Sequence, residues 1–136
     1  MQIRFYALGE TPEEKLYYAV LAVRYKERWL FVRQKKRSGW EMPAGRRKPG
    51  ESILETAKRE LFEETGALKY EIKEICDYSV TEKKTGFGRL FFVELLEKGP
   101  LPEFEIAEIC LKEKLPADLT YPTVQPILWR QIQKKL

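Results

Sequence analysis

Three glutamates at short spacing are the residues of this sequence whose arrangement best suits chemistry. Glu60, Glu63 and Glu64 stand at positions i, i+3 and i+4, and such positions share one face of an α-helix. Like charges held this close repel one another, so their presence indicates a cation at that place. Hard divalent ions such as Mg²⁺ bind carboxylate oxygens. The pattern predicts a metal site on a helix, and the alternative is a solvated acidic face.

The elements that position these carboxylates are a glycine-bounded loop and the helix that follows it. The loop covers residues 45–50, and Ser52 with Glu55 forms a capping box, which predicts that the helix begins near Ile53. Gly66 predicts a left-handed cap at its end. The other side of the helix carries an apolar stripe for a core, formed by Ile53, Ala57 and Leu61.

Residues 45–67 resemble the signature of the Nudix hydrolases, G-x5-E-x7-R-E-U-x-E-E-x-G-U, where U is a bulky apolar residue. Seven positions of fixed identity agree, and chance agreement in a chain of this length is roughly a one-in-a-million event. The last position departs from the pattern because Ala67 is smaller than the usual aliphatic residue. The matching residues are Gly45, Glu51, Arg59, Glu60, Leu61, Glu63, Glu64 and Gly66.

The order of the remaining segments predicts an α/β fold made of one domain spanning residues 1–136. Hydrophobic and turn patterns give the order β–β–β–α–β–β–β–α, which fits a mixed sheet with helices on both faces. The resemblance implies the Nudix-type α/β/α sandwich with a mixed central β-sheet. The predicted strands cover 3–8, 17–25, 29–33, 70–80, 87–96 and 105–111, and a second helix covers 122–135.

Composition excludes several classes of function. The chain has no histidine, which removes Ser-His-Asp and Cys-His catalysis and histidine-ligated zinc. Cys76 and Cys110 lie in apolar segments and are predicted to be buried free thiols. No apolar run approaches the ~20 residues that span a bilayer, and the first residues lack the features of a signal peptide. We therefore expect a cytoplasmic protein without membrane association.

Charge is distributed unevenly around the acidic helix. Seven basic residues and one acid, Glu41, lie between positions 33 and 48. A basic rim beside a metal-binding centre suits a polyphosphate substrate, whose outer charges need cations; a solvated loop is the alternative. Arg33 and Arg46 are candidate phosphate contacts, and Trp40 is a candidate for stacking on a base. This basic rim consists of Arg33, Lys35, Lys36, Arg37, Arg46, Arg47 and Lys48.

The resemblance also implies roles for residues of the Nudix box, as the signature at residues 45–67 is called below. Glu60, Glu63 and Glu64 would hold Mg²⁺, for which Mn²⁺ can substitute, and the carbonyl of Ala44 would complete the metal shell. One of these glutamates, or a carboxylate from a later loop, would accept the proton of the attacking water, and Glu60 is favoured. Glu105 is a candidate distal metal ligand; Glu108 and, less so, Glu103 are alternatives, as is an ordinary surface role for each.

Arg59 and Glu51 are predicted to form a supporting pair. Arg59 precedes Glu60 by one residue, so its side chain is expected to leave the carboxylate face and point to the loop. There it would orient Glu51 through two parallel hydrogen bonds.

The resemblance implies a metal-dependent hydrolase of phosphoanhydride bonds in nucleoside diphosphates linked to another group. The short chain is most like the MutT-like pyrophosphohydrolases of nucleoside triphosphates, including oxidised ones. Residues 81–85 lack the proline or tyrosine that relatives acting on ADP-ribose or dinucleoside polyphosphates carry near there. Removal of pyrophosphate from RNA 5′ ends is the alternative enzyme activity, and a non-catalytic scaffold binding nucleotide or RNA is the other alternative. A monomer or a homodimer is compatible with the sequence.

Overall fold

The fold is built on one mixed β-sheet. The computed structural model describes residues 1–136 and contains, besides a 3₁₀ turn at Glu13–Lys15, two helices, α1 (Ile53–Thr65) and α2 (Gln125–Lys134). The seven strands are β1 (Gln2–Tyr6), β2 (Leu16–Tyr25), β3 (Arg28–Gln34), β4 (Ala44–Arg46), β5 (Ala67–Thr81), β6 (Thr85–Lys98) and β7 (Ile106–Lys112).

Strand β2 is the branching point of this sheet. The strand order is β1-β5-β6-β2-β3-β7, and β4 also pairs with β2. Strands β2 and β6 are parallel, whereas the other pairs are antiparallel. The first half of β2 pairs with β4 and its second half with β3. This fork places the residues just before the box against the middle of the sheet.

The two helices cover opposite faces of the sheet, as predicted. Ile53, Ala57 and Leu61 of α1 are buried in one apolar cluster with β2, β3 and β6. Leu128 and Ile132 of α2 are buried in a second cluster, which also contains strand residues. Burial of these stripes is the main favourable term that holds the layers together. The predicted α/β/α sandwich with a mixed central sheet is confirmed.

Local signals set several element boundaries. Helix α1 begins at Ile53 behind the predicted capping box and ends at Gly66, which has a φ of 77°. The hairpin between β2 and β3 turns on Lys26 and Glu27, both at positive φ, as a two-residue turn of that twist requires. The sequence did not predict β4, because three residues are too short for an alternating pattern.

The two cysteines and the two helices bear on the predictions made from composition. Cys76 is buried, Cys110 is half-buried, and both thiols are free. Neither α1 nor α2 has the length and apolar character that a membrane crossing by a helix requires.

Candidate active site

The start of α1 is fixed by its own capping box and by a side chain from the 3₁₀ turn at Glu13–Lys15. Ser52 Oγ accepts a hydrogen bond from the backbone N–H of Glu55 at 3.1 Å, and Glu55 Oε1 accepts one from the N–H of Ser52 at 2.8 Å. Glu13, far away in sequence, accepts the N–H of Ile53 at 2.8 Å. These bonds satisfy donors that a helix N-terminus leaves free. The helix therefore presents its acidic residues in a fixed orientation.

Arg59 and Glu51 form the predicted pair beneath the loop. Arg59 Nε and Nη2 donate to the two carboxylate oxygens of Glu51 at 2.7 and 3.0 Å. Glu51 also accepts the Thr56 hydroxyl at 2.7 Å and the backbone N–H of Lys48 at 3.1 Å. The hydrogen bonds from Arg59, which outweigh the effect of burial, lower the pKa of Glu51 to about 2. This carboxylate stays ionised and serves to tie loop to helix.

Arg59 does not leave the carboxylate face, so that part of the prediction is wrong. Its Nη1 donates to Glu60 at 2.7 Å and lies 3.5 Å from Glu63 Oε2, while Nη2 also reaches the carbonyl of Arg46 at 2.9 Å. The guanidinium is long and carries five N–H donors, so it can serve the loop and the acidic face together. Arg59 is thus the hub that joins the loop to the acidic residues.

The bidentate pair predicts a measurable difference between arginine and lysine. Arg59→Lys keeps the charge but loses the planar fork, so we expect the free energy of unfolding to fall by about 1–3 kcal/mol. The matched control is Arg33→Lys, because Arg33 pairs with Glu108 at the surface, where ion pairs contribute about 0–1 kcal/mol. Urea unfolding of the three proteins checks this; equal losses in both variants would contradict it.

The carboxylates of Glu60 and Glu64 lie close together and are largely shielded from solvent. Glu64 is 6% exposed, and the backbone N–H of Ala44 in β4 donates to its Oε1 at 3.1 Å. Burial, and then the charge of Glu60, raise the pKa of Glu64 to about 10. Burial likewise raises the pKa of Glu60, although Arg59 opposes the shift. Glu63, nearer the surface, adds a third carboxylate beside them.

This donor set fits a hard divalent cation. The repulsion and burial that raise both pKa values are relieved by a bound cation as well as by a proton, and the donors are oxygens. No three acidic side chains surround a common point; instead, Arg59 and the N–H of Ala44 occupy carboxylate oxygens. The metal site that the sequence predicted on this face of α1 therefore stays a prediction.

Gly45 explains why the box begins with a glycine. A Cβ at this position would collide with the side chain of Glu60. The bare backbone of β4 thus lets helix α1 bring its carboxylate against the sheet. Two features bring the loop and helix α1 close together. Strand β2 pairs with β4 in its first half and with β3 in its second half, and Gly45 has no side chain.

A cleft of about 910 Å³ opens beside β4. It extends from Ala44, Gly45 and Arg46 across β2 to the turn between β5 and β6, and the start of α2 forms another wall. Such a volume is ample for a nucleotide. Four cationic side chains line the cleft, Lys15, Arg37, Arg46 and Lys84, together with two acidic ones, Glu41 and Glu82.

Only one of the three predicted substrate contacts lies in this cleft. Arg46 lines it, with its guanidinium 5.8 Å from the ring centre of Tyr18. Arg33 instead pairs with Glu108 across β3 and β7. Trp40 packs against the apolar cluster under α2. Neither lines the cleft, so their predicted contact with substrate is not supported.

The predicted distal ligand lies apart from the box carboxylates. Glu105 is exposed, just before β7, and its carbonyl accepts the N–H of Lys35 at 2.8 Å. It does not line the cleft, whereas Glu82 in the turn after β5 does.

The basic rim is also partly structural, because Arg47 donates to the carbonyls of Leu16, Glu14 and Glu51.

Two further residues of the cleft, Glu41 and Gln125, were not predicted from the sequence. Glu41 is only 5% exposed, and its Oε1 accepts Gln34 Nε2 at 3.1 Å and lies 3.4 Å from Arg37 Nη1. Gln125, also 5% exposed, begins α2. A single glutamate in a basic stretch and a single glutamine before a proline have no distinguishing pattern. Their burial follows from tertiary packing alone.

Comparison with known proteins gives the family. The model of the NUDIX domain matches residues 15–127, which include residues 45–67, strands β2 to β4 and every residue that lines the cleft except Leu128. The chain belongs to the Nudix family. The members of this family are hydrolases of pyrophosphate bonds, and they generally use divalent metal ions.

Two relatives of this chain are named for different activities. The chain is 30% identical over 122 residues to Bacillus subtilis (strain 168) YtkD, provisionally named an 8-oxo-dGTP diphosphatase, covering 82% of this chain and 77% of YtkD. It is 34% identical over 107 residues to the mRNA-decapping protein g5R of African swine fever virus (isolate Pig/Kenya/KEN-50/1950), covering 66% of this chain and 43% of g5R.

A solved structure confirms the fold. The crystal structure of a mutant of the Bacillus subtilis pyrophosphohydrolase BsRppH aligns with a TM-score of 0.80, covering 97% of this chain and 90% of that one. The two sequences are 21% identical, so this likeness concerns the fold and not the substrate.

Proposed function

We propose that this Nudix protein is a metal-dependent pyrophosphohydrolase of nucleoside triphosphates, including oxidised ones. The observation that carries the proposal is the carboxylate pair of Glu60 and Glu64, which contacts the backbone of Ala44 and Gly45 in the wall of a cleft lined by cations. A polyphosphate brings negative charge to such cations, while its reacting phosphorus lies towards the acidic residues. The 30% identity with YtkD, provisionally named an 8-oxo-dGTP diphosphatase, supports this substrate class.

The residues that would hold Mg²⁺, or Mn²⁺ in its place, are Glu60, Glu63 and Glu64, with the carbonyl of Ala44. When bound, the ion neutralises phosphate oxygens and makes a water more acidic. Arg46 and Lys84 are placed to bind the outer phosphate oxygens from the cleft wall. Arg59 keeps Glu60 in position through the 2.7 Å hydrogen bond and anchors it to the loop.

Glu60 is the residue that we propose as general base. Burial raises its pKa above the ordinary value for a glutamate, which makes its carboxylate a better proton acceptor. Gly45, which lines the cleft, leaves room for the side chain of Glu60 behind it. The proton of the attacking water would pass to a Glu60 oxygen as water oxygen bonds to phosphorus and the anhydride bond breaks.

A substrate panel tests this proposal. Release of phosphate and pyrophosphate is measured with Mg²⁺ for normal and 8-oxo nucleoside triphosphates, ADP-ribose, a dinucleoside tetraphosphate and a 5′-triphosphorylated RNA. We expect the triphosphates to give the highest kcat/KM and pyrophosphate as product. Turnover confined to ADP-ribose or the dinucleotide would refute the substrate class. Binding of nucleotide without any turnover would instead favour the non-catalytic scaffold.

Removal of pyrophosphate from RNA 5′ ends is a second candidate activity. The 34% identity with a viral mRNA-decapping protein favours it. In that case the triphosphorylated RNA would exceed the free triphosphates in kcat/KM, and its KM would rise steeply with salt because several phosphates are bound. We propose that either activity resides in one domain, residues 1–136, as a monomer or homodimer in the cytoplasm.

A further inference from the structure

The 3₁₀ turn at Glu13–Lys15 contacts both the helix that carries the box glutamates and the cleft. Glu13 Oε1 accepts the backbone N–H of Ile53, the first residue of α1, at 2.8 Å. Lys15, at the other end of this three-residue turn, lines the cleft. The turn therefore joins the start of the acidic helix to the wall against which substrate would bind.

An arginine of the box fixes this turn against the loop. Arg47 Nη2 donates to the carbonyl of Glu14 at 3.1 Å, and its Nε donates to that of Leu16 at 2.7 Å. Its Nη1 donates to the carbonyl of Glu51 at 3.3 Å, directly before the capping residue Ser52. Because one planar guanidinium serves three carbonyls from two segments, the turn keeps a fixed position relative to the start of α1.

A buried ion pair anchors the residues just before the turn. The backbone N–H of Thr11 donates to Asp77 Oδ2 at 3.1 Å, and both residues are buried. Arg89 Nε donates to Asp77 Oδ1 at 2.7 Å across the pairing of β5 with β6. Opening this cluster would leave a buried charge without its partner, which is costly. Residues 11–15 are therefore fixed to the sheet as well as to the loop.

Helix α1 does not need Glu13 in order to form. Ser52 and Glu55 cap it through the capping box, and its apolar stripe is buried in the core. Glu13 itself is exposed. What its hydrogen bond to Ile53 adds is a link between the first turn of α1 and a segment that is fixed to the sheet. This link constrains where the helix begins, not whether it is helical.

The position of α1 matters because one of its carboxylates is packed tightly against β4. Glu60 lies about two helical turns, or ~10 Å, beyond Ile53. A Cβ at Gly45 would collide with the Glu60 side chain, so little space separates helix and strand there. A displacement of the first turn is transmitted along the helix to this contact. In an active site, a misplacement of about 1 Å can lower the rate on the order of 10²-fold.

We propose that Glu13 is a positioning residue for the carboxylates of α1. Its hydrogen bond keeps the start of the helix where the anchored turn lies, and so keeps Glu60, Glu63 and Glu64 in place beside β4. This role rests on the proposed function, and it adds a residue outside the box on which the rate depends. Glu13 does not line the cleft, so its loss lowers kcat and leaves KM for nucleotide unchanged.

Two substitutions of Glu13 test this role. Glu13→Ala removes the acceptor, and we expect kcat with Mg²⁺ to fall about tenfold while KM for the best triphosphate stays within about twofold. Glu13→Gln keeps an oxygen for the N–H of Ile53 and should retain kcat within about threefold of the wild type. An unchanged kcat in Glu13→Ala would overturn the inference, and so would an equal loss in Glu13→Gln.

The matched control is Glu14→Ala in the same turn. Glu14 is exposed and contacts Arg47 through its backbone carbonyl, which the substitution retains. Its kcat should therefore stay within about twofold of the wild type. A loss equal to that of Glu13→Ala would show a general effect of the turn and overturn the specific role of Glu13.

Binding of Mn²⁺, followed by electron paramagnetic resonance at a temperature where all variants are folded, tests the same role without turnover. We expect Glu13→Ala to weaken Mn²⁺ binding at least about threefold, and Glu13→Gln and Glu14→Ala to retain it. If the wild type hydrolysed no triphosphate but Mn²⁺ binding depended on Glu13 in this way, the proposed function would fail and the positioning role would stand. Full turnover, with neither kcat nor Mn²⁺ binding changed in Glu13→Ala, would do the reverse.

Discussion

Glu64→Gln is expected to lower kcat with Mg²⁺ by at least about 10³-fold, which corresponds to the several kcal/mol that a metal supplies to a transition state. The amide keeps an oxygen to accept the N–H of Ala44, as Glu64 does at 3.1 Å, so the fold should persist. What it loses is the negative charge that would hold the ion. Initial rates on the best triphosphate, at saturating substrate, measure the effect.

The matched control for this substitution is Glu55→Gln on the same helix. Glu55 belongs to the capping box and is exposed, and glutamine also serves in such a box. Its kcat should remain within about twofold of the wild type, since a surface change of this kind alters stability by about 0.5 kcal/mol or less. Equal losses in Glu55→Gln and Glu64→Gln would mean that the role of Glu64 is not specific.

The second expected effect is a fall in stability as pH rises, seen in protein stripped of divalent metal. The pKa of Glu64 rises from an ordinary 4.5 to about 10 on folding, so the folded state holds a proton that the unfolded state releases. The associated stability is complete below pH 4.5 and is lost progressively as pH rises towards about 10. Between pH 4.5 and 7 the loss attributable to this group is at most about 3 kcal/mol.

Urea unfolding in EDTA at several pH values measures this dependence. Glu64→Gln removes the titrating group, so its stability should vary less with pH and exceed that of the wild type at pH 7. Mg²⁺ should restore stability to the wild type by mass action and have little effect on the variant. A wild-type stability that rises between pH 5 and 7, relative to Glu64→Gln, would contradict the assigned burial and repulsion.

The helix and its boundaries could be predicted because their signals are local. Ser52 and Glu55 lie within one turn of the helix they cap, and Gly66 is needed for the left-handed conformation that ends it. Glu60, Glu63 and Glu64 share a face through helical geometry alone. The same spacing argument failed for Arg59, since a flexible side chain with several donors is not confined to the direction of its Cβ.

Residues whose roles depend on distant partners could not be placed from sequence. The sequence predicts that Arg33 contacts phosphate, but β7 brings Glu108 beside it. Trp40 packs against the cluster under α2. Gln125 gains its fixed orientation from Met42, 83 positions away. Pairing across a sheet and burial under a helix decide such cases, and neither leaves a pattern in a single sequence.

The most direct test is a Mg²⁺ titration of metal-stripped protein, with pyrophosphate release from the best triphosphate as the readout. It shows whether the carboxylates of α1 support a metal-dependent hydrolysis. We expect no turnover in EDTA, saturable activation of the wild type by Mg²⁺, and no comparable activation of Glu64→Gln at any concentration. Turnover in EDTA at the full rate, or activation of Glu64→Gln by Mg²⁺ to the wild-type rate, would contradict this role of the carboxylates.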